Sequence, residues 1–264
     1  MCKYSKMAVA FIDILGTTAR NSFEEKYAVH EIFHKVFKEE EKRQYNHQGY
    51  STRKVWRFSD CVYIAYFHKS EDKCCDEIKL LAGLLENLPI SILQLYKKGY
   101  LVRGGVAVGD GYFDDNGFFG PVFEKASNFD AKNHPPFIFI NNDLARKLQK
   151  RIYDAHSKCC IPELMNIIPP VEYCENLPAS VVNTSDFPYS IVNVFHSIKK
   201  HCDVIWGIGA GDEVFENIKG ECDKNFNISN DAAEKWNAFA KYLRSKEDNI
   251  KELLSSSAVG IKLR

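Results

Sequence analysis

The sequence lacks the features that mark several large classes of protein. Its 35 basic and 35 acidic residues cancel to a formal net charge of zero, so it offers no basic footprint for nonspecific nucleic-acid binding. No apolar run approaches the roughly 20 residues that span a bilayer. The early apolar run at 8–15 contains Asp13 and is too short and too acidic for a signal peptide. We therefore expect a cytoplasmic protein with no nucleic-acid or membrane partner.

The usual cysteine spacing of zinc sites is also missing. The nine cysteines include two adjacent pairs, Cys74–Cys75 and Cys159–Cys160, but no C-x-x-C motif. Because their number is odd and no secretion signal is present, reduced thiols in a reducing compartment are expected. A chain of 264 residues that is 45% apolar can bury a core without disulfides.

What the sequence does contain is an alternation of strand and helix patterns. Strand patterns cover 7–14, 54–67, 101–109 and 136–140, and amphipathic helix patterns cover 22–37, 76–98, 121–132 and 142–153. A strand pattern at 189–195 and a long helix pattern at 230–254 follow. This order predicts an α/β or α+β sandwich in which one sheet carries helices. We expect a main domain at 1–195 and a C-terminal helical extension at 196–264 that packs on it.

Two aspartates stand in unusually apolar surroundings. Asp13 follows five apolar residues, and Asp60 lies between the apolar runs 55–58 and 61–67. A carboxylate in such a place is costly to bury unless it is paired or binds a cation. If the two strands are adjacent, the carboxylates share a site suited to Mg²⁺ or Mn²⁺. The structural alternative is that Asp60 is a turn residue and Asp13 caps the next turn.

Two consecutive glycines, Gly104 and Gly105, lie inside a strand pattern directly after Arg103. Paired glycines in a strand usually mark a bulge or the close approach of another backbone. The functional alternative is a place where a nucleotide or a second subunit comes near.

Four segments, in order, resemble the signatures of the class III nucleotidyl cyclases. They are DILGTT from Asp13, FSD from Phe58, LVRGGVAVG from Leu101 and GPVFEKASNFD from Gly120. The matching region, 7–141, covers about half of the chain and is most similar to the pyrimidine cyclases of bacterial Pycsar antiphage systems. The resemblance implies an α+β, cyclase-like sandwich with one mostly antiparallel sheet. It also implies an enzyme that converts UTP or CTP to the 3′,5′-cyclic monophosphate and pyrophosphate, as a second messenger in defence.

The resemblance also implies where the metals and phosphates bind. Asp13, Asp60 and the backbone carbonyl of Ile14 would hold two Mg²⁺ or Mn²⁺ ions. The backbone from Gly16 through Thr17 and Thr18 would cradle the triphosphate. In this family the active site forms between two protomers, so a homodimer with a composite site is expected. The resemblance thus implies a nucleoside triphosphate and a second copy of the chain as partners.

Trp56 stands at the position, four residues before the second metal aspartate, where purine cyclases carry a lysine or glutamate. An indole has one N–H donor and a large apolar face, so it cannot replace either contact to a purine. Its bulk favours a one-ring base, and UTP is the narrow choice. The structural alternative is that Trp56 is a core residue with its indole turned away from the cleft.

Two residues depart from the family pattern. Glu124 stands in place of the ribose-orienting asparagine, and Asn128 stands in place of the transition-state arginine. The loss of that arginine lowers the rate by orders of magnitude unless another cation replaces it. We expect Arg103 to serve as the catalytic cation, with Lys125 and Lys132 as further candidates. If no cation does so, the chain is an inactive cyclase-fold module that binds a nucleotide.

A rival motif lies on the first predicted helix. His30, Glu31 and His34 match H-E-x-x-H, in which the histidines bind zinc and the glutamate is the general base of a metalloprotease. The longer form of the motif needs a glycine and a histidine where this chain has Phe37 and Glu40. The zinc protease hypothesis therefore ranks below the cyclase hypothesis.

Overall fold

The computed structural model describes residues 3–16, 22–42, 51–68, 76–130, 135–157, 174–175, 189–196, 198–225 and 231–255. The strands are β1 (Ser5–Ile14), β2 (Ser51–Arg57), β3 (Cys61–His68), β4 (Val102–Phe113), β5 (Phe118–Phe119), β6 (Ile138–Asn141), β7 (Cys174–Glu175) and β8 (Tyr189–Val192). The helices are α1 (Phe23–Lys42), α2 (Glu77–Tyr96), α3 (Pro121–Ser127), α4 (Asn142–Ser157), α5 (Ile198–Trp206), α6 (Ala210–Asn225) and α7 (Asp231–Ser255). The predicted α+β class is confirmed.

Within the described residues, the strands form one mixed sheet in the order β2-β3-β1-β4-β6-β8-β7, with β5 paired to β4. Neighbouring strands are antiparallel, except that β4 and β6 run parallel. The first part of the chain is a split β-α-β-β-α-β arrangement: β3 lies between β1 and β2, and β1 lies between β3 and β4. The C-terminal end of β1 and the start of β3 therefore lie side by side at one end of the sheet.

β1 is buried on both faces, which explains its unbroken apolar sequence. Its even-numbered side chains, from Ala8 to Ile14, belong to the core cluster that includes α1 and α2. Its odd-numbered side chains, from Met7 to Phe11, pack with Val122 of α3. We call this second side of the sheet the α3 face, and the alternation places Asp13 on it.

α2 is the helix around which much of the core is built. The Asp76 side chain caps it by accepting from the Ile78 N–H at 3.1 Å. Pro89 lies inside the helix, which continues to Tyr96, so Pro89 does not end it. By length and composition α2 could cross a membrane, but 67% of its most apolar window is buried within the fold. This burial is typical of a core helix in a soluble protein.

The C-terminal helices share the core of the sheet. Tyr96 of α2 contacts Phe195, which follows β8, and Phe239 of α7, with ring centroids 5.9 and 5.4 Å away. The Asp203 carboxylate accepts from the N–H groups of Gly209 and Gly211, at 3.1 and 3.3 Å. The glycine-rich segment 207–211 is therefore a short turn followed by the capped first residues of α6.

Cys202 and Cys222 are free thiols in the part of the chain that the structure describes. Burial raises the pKa of Cys202 and of Cys222 to about 12, so both thiols stay protonated near neutral pH. Their role is packing within the core.

Candidate functional site

Asp13 and Asp60 are neighbours at the end of β1. In the sheet register Asp13 lies opposite Cys61, the first residue of β3. The Ile14 N–H donates to the backbone carbonyl of Asp60 at 3.0 Å, which fixes the β2–β3 turn to the end of β1. The turn between β2 and β3 is tight, since the Phe58 N–H donates to the Cys61 carbonyl at 2.8 Å. The fold thus brings Asp13, Ile14 and Asp60 together.

Arg103 joins the same group of residues from β4. It lies opposite Asp13 in the register, and its Nε donates to Asp13 Oδ2 at 3.0 Å. The two side chains are only 17% and 13% exposed. A carboxylate this far from solvent needs a partner, and Arg103 supplies one. The sequence required a buried Asp13 either to be paired or to bind a cation. The structure shows it paired with the guanidinium of Arg103.

Asp60 sits in the turn itself and, like Asp13, is partly buried. The Ser59 hydroxyl donates to Asp60 Oδ1 at 2.8 Å. Among the described residues, no group of three or more His, Cys, Asp and Glu side chains is placed to hold a metal. Mg²⁺ characteristically takes one or two carboxylates and completes its shell with water and substrate phosphates. Two adjacent aspartates fit that pattern once the hydrogen bond from Arg103 to Asp13 is broken.

An aromatic surface lies beside the aspartates on the α3 face. It consists of the partly buried Trp56, Tyr63 and Phe118, together with Phe11 and Phe123, which are buried. Ring centroids are 4.8 Å apart for Phe11–Tyr63, 4.8 Å for Trp56–Phe118 and 4.7 Å for Tyr63–Phe118. Phe11 is two residues before Asp13 on the same face of β1. This surface therefore begins about 7 Å along the strand from Asp13.

Trp56 is half-buried within this surface. Its ring is also 5.4 Å from Phe113 and 5.8 Å from Phe123, so part of the indole packs against the protein. The sequence analysis did not predict the other members of the aromatic surface, because they lie on four separate strands and helices. The available signal was the alternation in β3, which puts Cys61, Tyr63 and Phe67 on one face.

Gly16 begins the segment expected to cradle phosphate. Its φ of 82° lies in the left-handed region, and a Cβ there would meet nothing within 4 Å. Its backbone conformation, rather than crowding, therefore makes a glycine favourable at this position. Thr17 and Thr18 lie outside the described residues.

Gly104 and Gly105 are required by packing within the chain. A Cβ on Gly104 would lie 1.9 Å from the carbonyl oxygen of Phe11. A Cβ on Gly105 would lie 1.9 Å from the ring of Phe129 and 2.8 Å from the carbonyl oxygen of Ala126. The close approach predicted from the glycine pair is therefore confirmed, and the approaching groups belong to β1 and to the α3 segment.

Glu124 and Asn128 are exposed on α3. Asn128 ends the helix, and its backbone N–H donates to the carbonyl of Glu124. The buried side chains Val122, Phe123 and Ala126 attach the helix to the sheet, so Glu124 and Asn128 are accessible from outside the chain. Lys125 is likewise exposed, and Lys132 is not among the described residues.

The H-E-x-x-H residues lie on α1, next to the same turn. The rings of His30 and His34 are 4.1 Å apart, and His34 Nε2 lies 3.0 Å from the Phe58 carbonyl oxygen, to which its N–H donates. Burial and the nearby His30 lower the pKa of His34, so the neutral ring is favoured. With Nε2 engaged, His34 is not arranged as a zinc ligand through that atom. Its observed contact instead holds the turn that carries Asp60.

No protein-family model and no curated protein matches this chain. The functional argument therefore depends on the geometry of its own residues.

Proposed function

We propose that this chain is a metal-dependent nucleotidyl cyclase that converts UTP or CTP to the 3′,5′-cyclic monophosphate and pyrophosphate. The observation that carries the proposal is the hydrogen bond from Ile14 N–H to the Asp60 carbonyl, which makes Asp13 and Asp60 neighbours. The cyclase-like sandwich is proposed from the sequence resemblance, for a chain whose fold is a mixed α+β sheet with helices. We further propose a cytoplasmic role as a signalling enzyme in bacterial antiphage defence, on the sequence resemblance alone.

Asp13, Asp60 and the Ile14 carbonyl would hold the Mg²⁺ or Mn²⁺ ions. Such ions neutralise triphosphate charge and favour the deprotonated ribose 3′-hydroxyl. The chain's own residues would orient the reactants: the β2–β3 turn holds Asp60 in place, and Arg103 supplies a positive charge beside the phosphates. The hydroxyl oxygen then attacks the α-phosphorus, and the bond to pyrophosphate breaks.

The aromatic surface would receive the base. Aromatic side chains bind nucleobases by stacking, and this surface begins one side-chain step along β1 from Asp13. Trp56 already occupies volume there, which leaves more room for a one-ring base than for a two-ring base. This arrangement supports a pyrimidine substrate, with UTP as our choice.

A homodimer with a composite site would complete this arrangement. Two aromatic side chains near the α3 face are strongly exposed, Phe58 at 46% and Phe119 at 57%. A second protomer that covers them would also bring its own exposed α3 residues, Glu124 and Asn128, toward the substrate. These residues would act as substrate-binding groups from the partner.

Replacement of Asp60 tests this proposal directly. Asp60→Asn should lower turnover by at least about 100-fold, because it removes a metal ligand. The melting temperature without metal should stay the same or rise, since one of two neighbouring negative charges is lost. Asp115→Asn, at an exposed turn position, is the matched control and should behave as wild type. Turnover and melting are measured on all three proteins, and an active Asp60→Asn enzyme would remove Asp60 from the metal site.

A nucleotide-binding module without turnover is the second candidate function. The pairing of Arg103 with Asp13 favours it, because a paired carboxylate is less available to a metal ion. Such a module would bind UTP or CTP and leave it unchanged. Equilibrium binding of radiolabelled UTP, followed by recovery of intact UTP after long incubation with Mn²⁺, would identify this function.

A further inference from the structure

The Asp13–Arg103 pair joins two residues that the proposed reaction needs apart. Nε of Arg103 lies 3.0 Å from Oδ2 of Asp13, and the cross-strand register of β1 and β4 places the two residues side by side. Both side chains are more than four-fifths buried. Solvent therefore screens this pair less than a surface salt bridge.

We infer that Arg103 is a gate on the metal site, held on Asp13 until a divalent cation displaces it. This inference rests on the proposed function, since it takes Asp13 to be a metal ligand. A guanidinium and a divalent cation both bind a carboxylate through their positive charge, and they repel each other at short range. Because the two cations repel each other, the divalent cation binds Asp13 more strongly once Arg103 has moved away from Oδ2.

The gate makes metal binding and nucleotide binding cooperative. Without nucleotide, a displaced Arg103 has lost its carboxylate partner, so free metal binds weakly. A triphosphate supplies new oxygen acceptors that suit the planar guanidinium. Each ligand then strengthens the binding of the other, and the coupling is reciprocal. The closed pair also gives the largely buried Asp13 carboxylate a cationic partner in the metal-free chain.

The test is Mn²⁺ binding without nucleotide, measured by the electron paramagnetic resonance signal of free Mn²⁺. Arg103→Met should bind Mn²⁺ about tenfold more tightly than wild type, because the competing charge is gone. Arg103→Lys keeps the charge without the planar fork, so it should bind only slightly more tightly than wild type. Arg53→Met is the matched control: it removes an arginine of β2 that donates to the Tyr66 hydroxyl at 3.2 Å, and Mn²⁺ affinity should stay unchanged.

The outcomes separate the gate from the metal site itself. Asp13→Asn should abolish this Mn²⁺ binding in both the wild-type and the Arg103→Met background. If Asp13→Asn abolishes binding while Arg103→Met leaves the affinity unchanged or weaker, the gate is wrong and the metal site stands. If Mn²⁺ binding never depends on Asp13, the metal site of the proposed function fails and the gate fails with it. Should Arg103→Met not fold, Arg103→Lys decides: an affinity below that of wild type contradicts the gate.

Discussion

At the scale of single residues, the candidate site combines one buried charge pair with one aromatic surface. Asp13 and Arg103 face each other across β1 and β4, and Trp56 lies in the aromatic surface on the same side of the sheet. The two parts suit the two ends of a nucleotide, because phosphates need charge and a base needs a flat apolar contact. The contribution of Trp56 to base choice can be separated from its contribution to packing.

Trp56→Ala should increase turnover of purine triphosphates relative to pyrimidine triphosphates. It should also lower the free energy of unfolding by about 2 kcal/mol, since the indole is half-buried among other rings. Phe113→Ala is the control, because Phe113 contacts Trp56 at 5.4 Å but lies at the far end of β4 from Arg103. It should cost similar stability and leave base preference unchanged. An equal shift in preference for both variants would assign Trp56 a packing role only.

At the scale of elements, the β2–β3 turn is the best-anchored part of the site. Its backbone is bonded to β1 through Asp60 and to α1 through the contact of His34 with Phe58. This second contact has a predictable pH dependence, because His34 titrates and its neutral form is favoured in the folded chain.

The pKa of His34 is lowered from 6.5, so the unfolded chain binds this proton more readily than the folded chain. Stability should therefore fall as the pH drops below 6.5. His34→Gln should reduce this loss. His30→Gln should reduce it partly, because burial still lowers the pKa of His34 after the neighbouring charge is removed. Urea unfolding midpoints measured from about pH 7.5 to 5.5 test the sign. A His34→Gln protein with the same pH slope as wild type would contradict the assignment.

Strand β4 should be intolerant of side chains at Gly104 and Gly105. Gly105→Ala should destabilise the protein by at least about 3 kcal/mol, because its Cβ would overlap the Phe129 ring and crowd a backbone carbonyl. Gly220→Ala, inside α6 with open space around its Cβ, should instead stabilise by about 0.5–1 kcal/mol. Thermal melts of both variants are sufficient. A harmless Gly105→Ala would mean that β4 does not pack against α3 as described.

At the scale of the whole molecule, local sequence patterns predicted the helices and strands better than the contacts between them. The helix predicted at 230–254 is α7 (Asp231–Ser255), and the strand predicted at 7–14 lies within β1. Their apolar periodicity is a local property, so the sequence alone sufficed. α5 and α6 lie within the segment 196–264 that we expect to be helical, but no sequence pattern marks where each begins and ends. α5 is short, and α6 begins at glycines whose cap comes from Asp203, several residues away.

In the candidate site, too, single residues could be predicted from local sequence, whereas contacts between distant residues could not. Asp13 and Asp60 could be identified from their apolar neighbours, which are local. The Arg103–Asp13 pair could not, because it depends on the register of β1 against β4, which the glycines of β4 permit. The contact of His34 with Phe58 likewise joins residues 24 positions apart, and only the folded chain shows it.

The central claim is that this chain cyclises a pyrimidine nucleoside triphosphate. The most direct measurement is incubation of the purified protein with Mn²⁺ and each of the four ribonucleoside triphosphates, with products identified by mass spectrometry. The account predicts cyclic UMP or cyclic CMP together with pyrophosphate, and no such product from Asp60→Asn. Robust cyclic AMP or cyclic GMP without a cyclic pyrimidine nucleotide would contradict the base assignment, and four unchanged substrates would contradict the enzyme itself.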